Sequence, residues 1–336
     1  MMNILIDIEH MADINFYKNA VDLLQEKGHN IFITAIPRGK IIDVLNKEYS
    51  LKINPIGKHY SNKFGKVFGV FQRTLSLMSF MIKNKIDVST AYGFYGPMAA
   101  FFLRRKSVAF YDDFEYKKKF NLCKRFSTRF IIPDTIPVKG KNIMHCNSYK
   151  ELAYLHPDYI KPNKKILKDY KLKEDKYVFL REVSSISWNY DDLKEKKYQN
   201  IFSYLKKKGY KIVVSLEDKN RISEFKDCII LKEPVKDIYS LMYFSSMMIS
   251  TGDTMIRESA LMGIPSLYLG GRDMCANKEL IDLGLIDKID NMDKALDKIK
   301  EYVDKDRKKK TKKILSKSIN RWDDMTKLII ENIEKC

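Results

Sequence analysis

The chain opens on a short apolar run, NILIDI at residues 3–8, and passes at once into INFYKNAVDLLQEKGHNIFITA. There Phe16, Ala20, Leu23 and Leu24 recur at the spacing of one helix face. Gly28 stands where a helix commonly closes, and a second apolar run follows, so the stretch predicts β-α-β. The same unit returns in SLMSFMIKNKIDVSTA, GPMAAFFLRRKSVAFYDD and RFIIPD. Each of these strands is apolar throughout instead of alternating, which marks strands buried on both faces of a parallel sheet.

A charged stretch with two prolines, ELAYLHPDYIKPNKKILKDYKLKEDK, interrupts the pattern, which then restarts. YVFLRE, YKIVVSLE, CIILKE, SMMIST and PSLYLG read as strands, separated by helical segments such as DLKEKKYQNIFSYLKKKG and DIYSLMYF. The tail KILSKSINRWDDMTKLIIENIEKC has helical periodicity and no strand after it. The expected organisation is a first β/α domain over 1–165, a second over 166–310 and a C-terminal helix, 311–336, packing back on the first. Open parallel sheets bind ligands at the carboxyl ends of their strands. A cleft shared by the two domains is therefore the expected site.

Composition changes this picture little. Of 336 residues, 45% are hydrophobic and 31% charged, which suits a folded chain with two cores. No run approaches the ~20 apolar residues of a membrane span, and MMNILIDIEH has acids where a signal peptide is apolar, so a cytoplasmic location is expected. The five cysteines are scattered without a CxxC pair, which suggests neither a disulfide framework nor a zinc site. The net charge of +19 favours an anionic partner without choosing among nucleic acid, a membrane surface and a phosphorylated ligand. Its lysines are spread along the whole chain, so nucleic acid is not expected.

Chemistry is sought just past the strands. SMMIS reads as a strand, TGDT as a turn and MIRESALMG as a helix, an order that aims the helix's free N–H groups at a ligand. Gly252 permits close approach of a phosphate, Thr251 and Thr254 supply hydroxyls, and Glu258 suits a ribose diol. The same residues also fit an ordinary turn in which Asp253 or Thr254 caps the helix and Glu258 completes a capping arrangement. Arg181, closing YVFLR, is placed to pair with a diphosphate, and Ser184 and Ser185 to donate to it.

The order of that strand, TGDTMIRESALMGIPSLYLGGRD and ANKELIDLGL resembles the nucleotide-binding half of the GT-B glycosyltransferases and the related UDP-N-acetylglucosamine 2-epimerases. The resemblance implies Glu258 on the ribose and Gly252, Asp253 and Thr254 around the diphosphate. It adds Arg272 and Asn277 to the donor site and places the backbone near Pro234 and Val235 on a uracil. Nearly the whole chain resembles domain-of-unknown-function family 354, a GT-B-like group. The carriers are, in order, IDIEHMADINFYKNAVDLLQEKGH, IGKHYSNKFGKVFGVFQRTLSL, FYDDFEYKKKFN, IIPDTIP, YKELAYL and GDTMIRESALMGIP. Two positions depart from the pattern: Asp13, in MADI, stands at the usual histidine, and Asp253 replaces the second turn glycine.

What the resemblance implies is an α/β fold of GT-B architecture, two Rossmann-like β/α domains facing a central cleft. The implied enzyme moves a sugar from a nucleotide-sugar donor, UDP-linked, to a cell-surface or lipid-linked glycan acceptor. The donor is a substrate, and no cofactor or metal is required. In such an enzyme Asp13 or His10, just after the first strand, would take the proton of the acceptor hydroxyl. Asp13 equally suits the cap of a helix beginning at Ile14. Lys58 and His59 are candidates to stabilise a leaving phosphate, and Asp112, Asp113 and Glu115 to bind acceptor hydroxyls or a divalent ion. Residues 63–85 mix phenylalanine, leucine and methionine with lysine and arginine, as helices lying on anionic lipid do, so peripheral contact at the inner face of the cell membrane is an expectation; the same stripe also suits a core. A sugar-nucleotide epimerase or hydrolase of the same fold is the alternative enzyme, and a non-catalytic binder of anionic surfaces the alternative outside enzymes.

Overall fold

A computed structural model describes residues 1–58, 60, 63–183, 198–232, 235–304 and 307–336. The chain forms two units, one of Met1–Tyr159 with Trp322–Cys336 and one of Ile160–Arg321.

The first unit is a seven-stranded parallel sheet made of β1 (Asn3–Ile8), β2 (Asn30–Ala35), β3 (Ile53–Pro55), β4 (Val88–Ala91), β5 (Lys106–Phe110), β6 (Arg129–Pro133) and β7 (Ile143–Cys146). Its spatial order is β3-β2-β1-β4-β5-β6-β7. Strand order reverses between β1 and β4, which pair in parallel with Asp7 opposite Ala91. Ile4, Leu5, Ile6 and Ile8 are all buried, as an uninterrupted apolar strand demands. The helix Met11–Glu26 buries Ile14, Tyr17, Ala20, Val21 and Leu24 along one face. The last helix, Met325–Glu334, packs on it.

The helix Lys63–Lys83 has two apolar faces. Arg73, Thr74, Leu77 and Met81 point into the unit, whereas Val67, Phe68, Phe71, Leu75 and Ile82 are exposed. Among the described residues no helix is long and apolar enough to cross a membrane.

The second unit is a six-stranded parallel sheet of β8 (Tyr177–Glu182), β9 (Lys211–Leu216), β10 (Ile229–Ile230), β11 (Met247–Ser250), β12 (Ser266–Tyr268) and β13 (Ile286–Lys288). The order is β10-β9-β8-β11-β12-β13, so its reversal lies between β8 and β11. Val178, Leu180, Val214, Ile249 and Leu267 form the centre of its core. The helix Arg307–Ser318 belongs to this unit, and a short 3-10 turn, Ile319–Arg321, separates it from the residues that return to the first. Ligands of doubly wound sheets sit where the strand order reverses, so each unit directs attention to one pair of strand ends.

Candidate functional site

In the first unit the segments after β1 and β4 meet at the reversal. His10 is the N-cap of the helix Met11–Glu26, which starts ahead of the expected Ile14. Asp13 Oδ2 accepts from the backbone N–H groups of Glu9 at 3.0 Å and His10 at 2.8 Å, closing the first turn from inside. Asp13 is thus both a cap and a buried carboxylate at a strand end. Burial raises its carboxyl to about 7, and Glu9 adds to the rise, while the Lys119 ammonium and the two N–H groups restrain it. A carboxylate that exchanges its proton near neutrality has the affinity a general base needs.

Glu9, which the sequence reading passed over, is buried beside it. Its Oε1 accepts from the N–H of Tyr95, the first residue of the helix Tyr95–Phe102, at 3.1 Å, and its Oε2 lies 3.2 Å from Lys119 Nζ. A Cβ at Gly93 would fall 2.1 Å from Glu9 Oε1, so glycine alone lets the carboxylate lie against the turn after β4. Burial works against the charge of Glu9, yet the Lys119 ammonium and the Tyr95 N–H hold its carboxyl below the usual range. Lys119 Nζ also lies 3.0 Å from His10 Nε2. Desolvation, reinforced by that ammonium, pushes the imidazole down to about 4, so His10 is neutral at pH 7.

Beneath these residues Arg73 Nη2 lies 2.6 Å from Asp7 Oδ1, both side chains being buried. Thr34 donates to the same oxygen at 2.7 Å, and the Arg73 guanidinium lies 5.1 Å from the Tyr95 ring centre. Of the remaining first-unit candidates, Asp112 is buried and lies 3.3 Å from Lys150 Nζ. Asp113 Oδ1 accepts from the N–H of Glu115 at 3.2 Å, and Glu115 and Lys58 are exposed. His59 lies outside the described residues.

In the second unit Gly252 is the N-cap of the helix Asp253–Leu261, and its extended backbone is packed so closely that a Cβ would fall 2.8 Å from Val183 Cγ1. The Thr251 hydroxyl, expected at a phosphate, is turned inward: it accepts from the Val183 N–H at 2.9 Å and is buried. Asp253, the acid in place of a turn glycine, is paired instead of facing a ligand alone. Its Oδ1 accepts from the Tyr268 hydroxyl, and its Oδ2 lies 2.9 Å from Arg272 Nη1. Arg272 therefore neutralises the acid that would otherwise repel an anion at the helix start.

Glu258 is buried and its Oε1 accepts from the Tyr239 hydroxyl at 3.1 Å. Asn277 Oδ1 accepts from Arg257 Nη1 at 3.2 Å, and both side chains are buried. Arg181 Nη1 donates to Ser215 Oγ at 3.0 Å, and its Nη2 lies 3.7 Å from Glu217. Thr254 and Val235 are half-buried, and Ser184, Ser185 and Pro234 lie outside the described residues. Around the β8–β11 reversal the structure thus gathers Arg181, Thr251, Gly252 and Asp253. Tyr239, Tyr268, Lys119 and Arg73 are the partners that no local motif signalled.

No curated protein matches the chain significantly. Among solved structures, the UDP-GlcNAc 2-epimerase of Neisseria meningitidis bound to UDP-GlcNAc is similar with a TM-score of 0.72 at 13% identity, each chain covered in full (100%). The Methanocaldococcus jannaschii UDP-GlcNAc 2-epimerase in complex with UDP-GlcNAc and UDP gives 0.70 at 15% identity over 100% of both chains. Acinetobacter baumannii MurG gives 0.62 at 14% identity, again over 100% of both. At such identities the likeness establishes the fold, two Rossmann-like halves of the GT-B type. The family model described as Protein of unknown function (DUF354) matches residues 2–336, and the chain belongs to that family.

Proposed function

We propose that the chain is a glycosyltransferase that moves a sugar from a UDP-linked donor to a cell-surface or lipid-linked glycan acceptor, working in the cytoplasm or at the inner membrane face. The observation that carries this reading is the buried carboxylate of Asp13, raised to about 7 at the end of β1. In the proposed reaction Asp13 takes the proton of an acceptor hydroxyl, the oxygen forms a bond to the sugar's anomeric carbon, and the bond from that carbon to the diphosphate breaks. The leaving charge falls on the nucleoside diphosphate, for which the start of the helix Asp253–Leu261 supplies N–H groups. Glu258, already held by Tyr239, is suited to the ribose hydroxyls. Neutral His10 and the ionised Glu9–Lys119 pair set the electrostatics around the base. The support from relatives is that two epimerases of this fold are described as bound to UDP-GlcNAc.

An epimerase or hydrolase acting on the sugar nucleotide alone is the second reading, and one observation favours it. Glu9 gives Asp13 a second buried carboxylate at the same strand end. The two readings separate on one assay: UDP-GlcNAc is incubated with the protein with and without a polyprenyl-phosphate glycan acceptor. Release of UDP that requires acceptor supports the transferase. Isomerised sugar or UDP formed without any acceptor refutes it.

A further inference from the structure

The outer face of the helix Lys63–Lys83 has no part in the chemistry above. Val67 is 73% exposed, Phe68 58%, Phe71 64%, Leu75 46% and Ile82 58%. At 3.6 residues per turn these five side chains fall within about 100° of the helix circumference, so they form one stripe. The helix Tyr95–Phe102 packs beside this one. Arg105 Nη1 donates to the carbonyls of Met81 at 2.7 Å and Ile86 at 2.6 Å, which places the end of the helix Tyr95–Phe102 beside the Ile82 end of the stripe. There Phe101 is 50% and Phe102 55% exposed. An exposed apolar stripe of this kind marks an interaction surface.

The charge around the patch selects its partner. Between Ile56 and Tyr111 the sequence has one acid, Asp87, among nine lysines and arginines. That acid is turned to the chain itself, accepting from the Asn3 N–H at 2.7 Å. Lys58, Lys83, Lys85, Arg104 and Lys106 are exposed. A second copy of the chain docked symmetrically through this face would set these cations against themselves. An anionic bilayer accepts both features, phenyl and alkyl groups entering its interface while ammonium and guanidinium groups meet lipid phosphates. We propose that Val67, Phe68, Phe71, Leu75 and Ile82, with Phe101 and Phe102 exposed on the adjacent helix, form a docking surface for an anionic lipid membrane. The inference deepens the lipid-linked reading of the acceptor but stands on this surface alone.

The test is cosedimentation of the full chain, without nucleotide or acceptor, with vesicles of phosphatidylcholine alone and of phosphatidylcholine mixed with phosphatidylglycerol. Binding is expected to the mixed vesicles, to weaken as salt rises, and to fall about tenfold or more in Phe68→Ser/Phe71→Ser/Leu75→Ser. Arg104→Glu/Lys106→Glu keeps the apolar stripe and is expected to lose the preference for the anionic lipid. Because the replaced side chains are exposed, both variants should retain the parent melting temperature, which checks their folding. Equal binding by the triple variant, no binding of the parent to either vesicle, or a concentration-dependent dimer that the triple variant abolishes would overturn the proposal. Vesicle binding and the UDP-release assay fail independently, so a negative result here leaves the transferase reading untouched.

Discussion

Arg272 Nη1 lies 2.9 Å from Asp253 Oδ2 at the first turn of the helix Asp253–Leu261, and the Tyr268 hydroxyl holds the other carboxylate oxygen. Removing one partner of a largely buried pair strands the other charge. Arg272→Ala is expected to lower the unfolding free energy by about 3 kcal/mol in urea titrations. It should also remove the rise in melting temperature produced by UDP, since an uncompensated acid then faces the diphosphate. Asp253→Asn in the same chain is expected to restore part of both. If UDP stabilises the single variant as it does the parent, the pair does not serve an anion site.

Glu258 and Tyr239 make a graded test of the ribose contact. Glu258→Ala should abolish stabilisation by UDP, because a ligand bound only to the native state raises its melting temperature by mass action. Tyr239→Phe removes one hydrogen bond, worth about 1 kcal/mol, and should weaken UDP binding about fivefold in calorimetry. An unchanged affinity in Glu258→Ala would place the nucleotide elsewhere.

Asp13 acts as a base when ionised, so kcat/KM is expected to rise with pH up to about 7 and then level. Asp13→Asn keeps an oxygen for the two N–H groups and should fold, with kcat lowered about 10²- to 10⁴-fold. Stability has the opposite slope. The carboxyl is raised from 3.8 to about 7 on folding, so the native state binds the proton more tightly between those values, and this group's contribution to stability falls as pH rises through that window. Denaturant midpoints measured from pH 4 to about 7.5 should show that fall in the parent and not in Asp13→Asn.

Gly93→Ala puts a methyl group where the Glu9 carboxylate lies, 2.1 Å from Oε1. Displacing the carboxylate costs the Tyr95 N–H its acceptor, and overpacking of this kind destabilises by about 1–3 kcal/mol. A thermal melt of Gly93→Ala should show the loss, and activity should fall with it.

The two β/α series, the strand-turn-helix at 247–261 and the strand-end positions of Asp13 and Asp112 were legible in the sequence, because periodicity and turn residues are local. The start of the first helix was not, since the N–H groups that Asp13 accepts belong to residues before the apolar pattern begins. The 63–85 stretch was ambiguous for a related reason. A helix apolar on two faces reads alike whether it is core or surface, and only packing shows that Leu77 and Met81 turn inward while Phe68 and Phe71 do not.

By itself the sequence determined the fold class and which residues follow the strands, for runs of buried apolar residues allow few other arrangements. Tertiary structure decided how those residues are charged and what they face. Lys119 reaches Glu9 and His10 from another segment, Arg73 reaches Asp7 from the helix Lys63–Lys83, and Arg272 and Tyr268 converge on Asp253 from beyond β11. Such pairings join residues far apart in the chain, and the proton affinity of a buried carboxylate depends on which charges folding brings beside it.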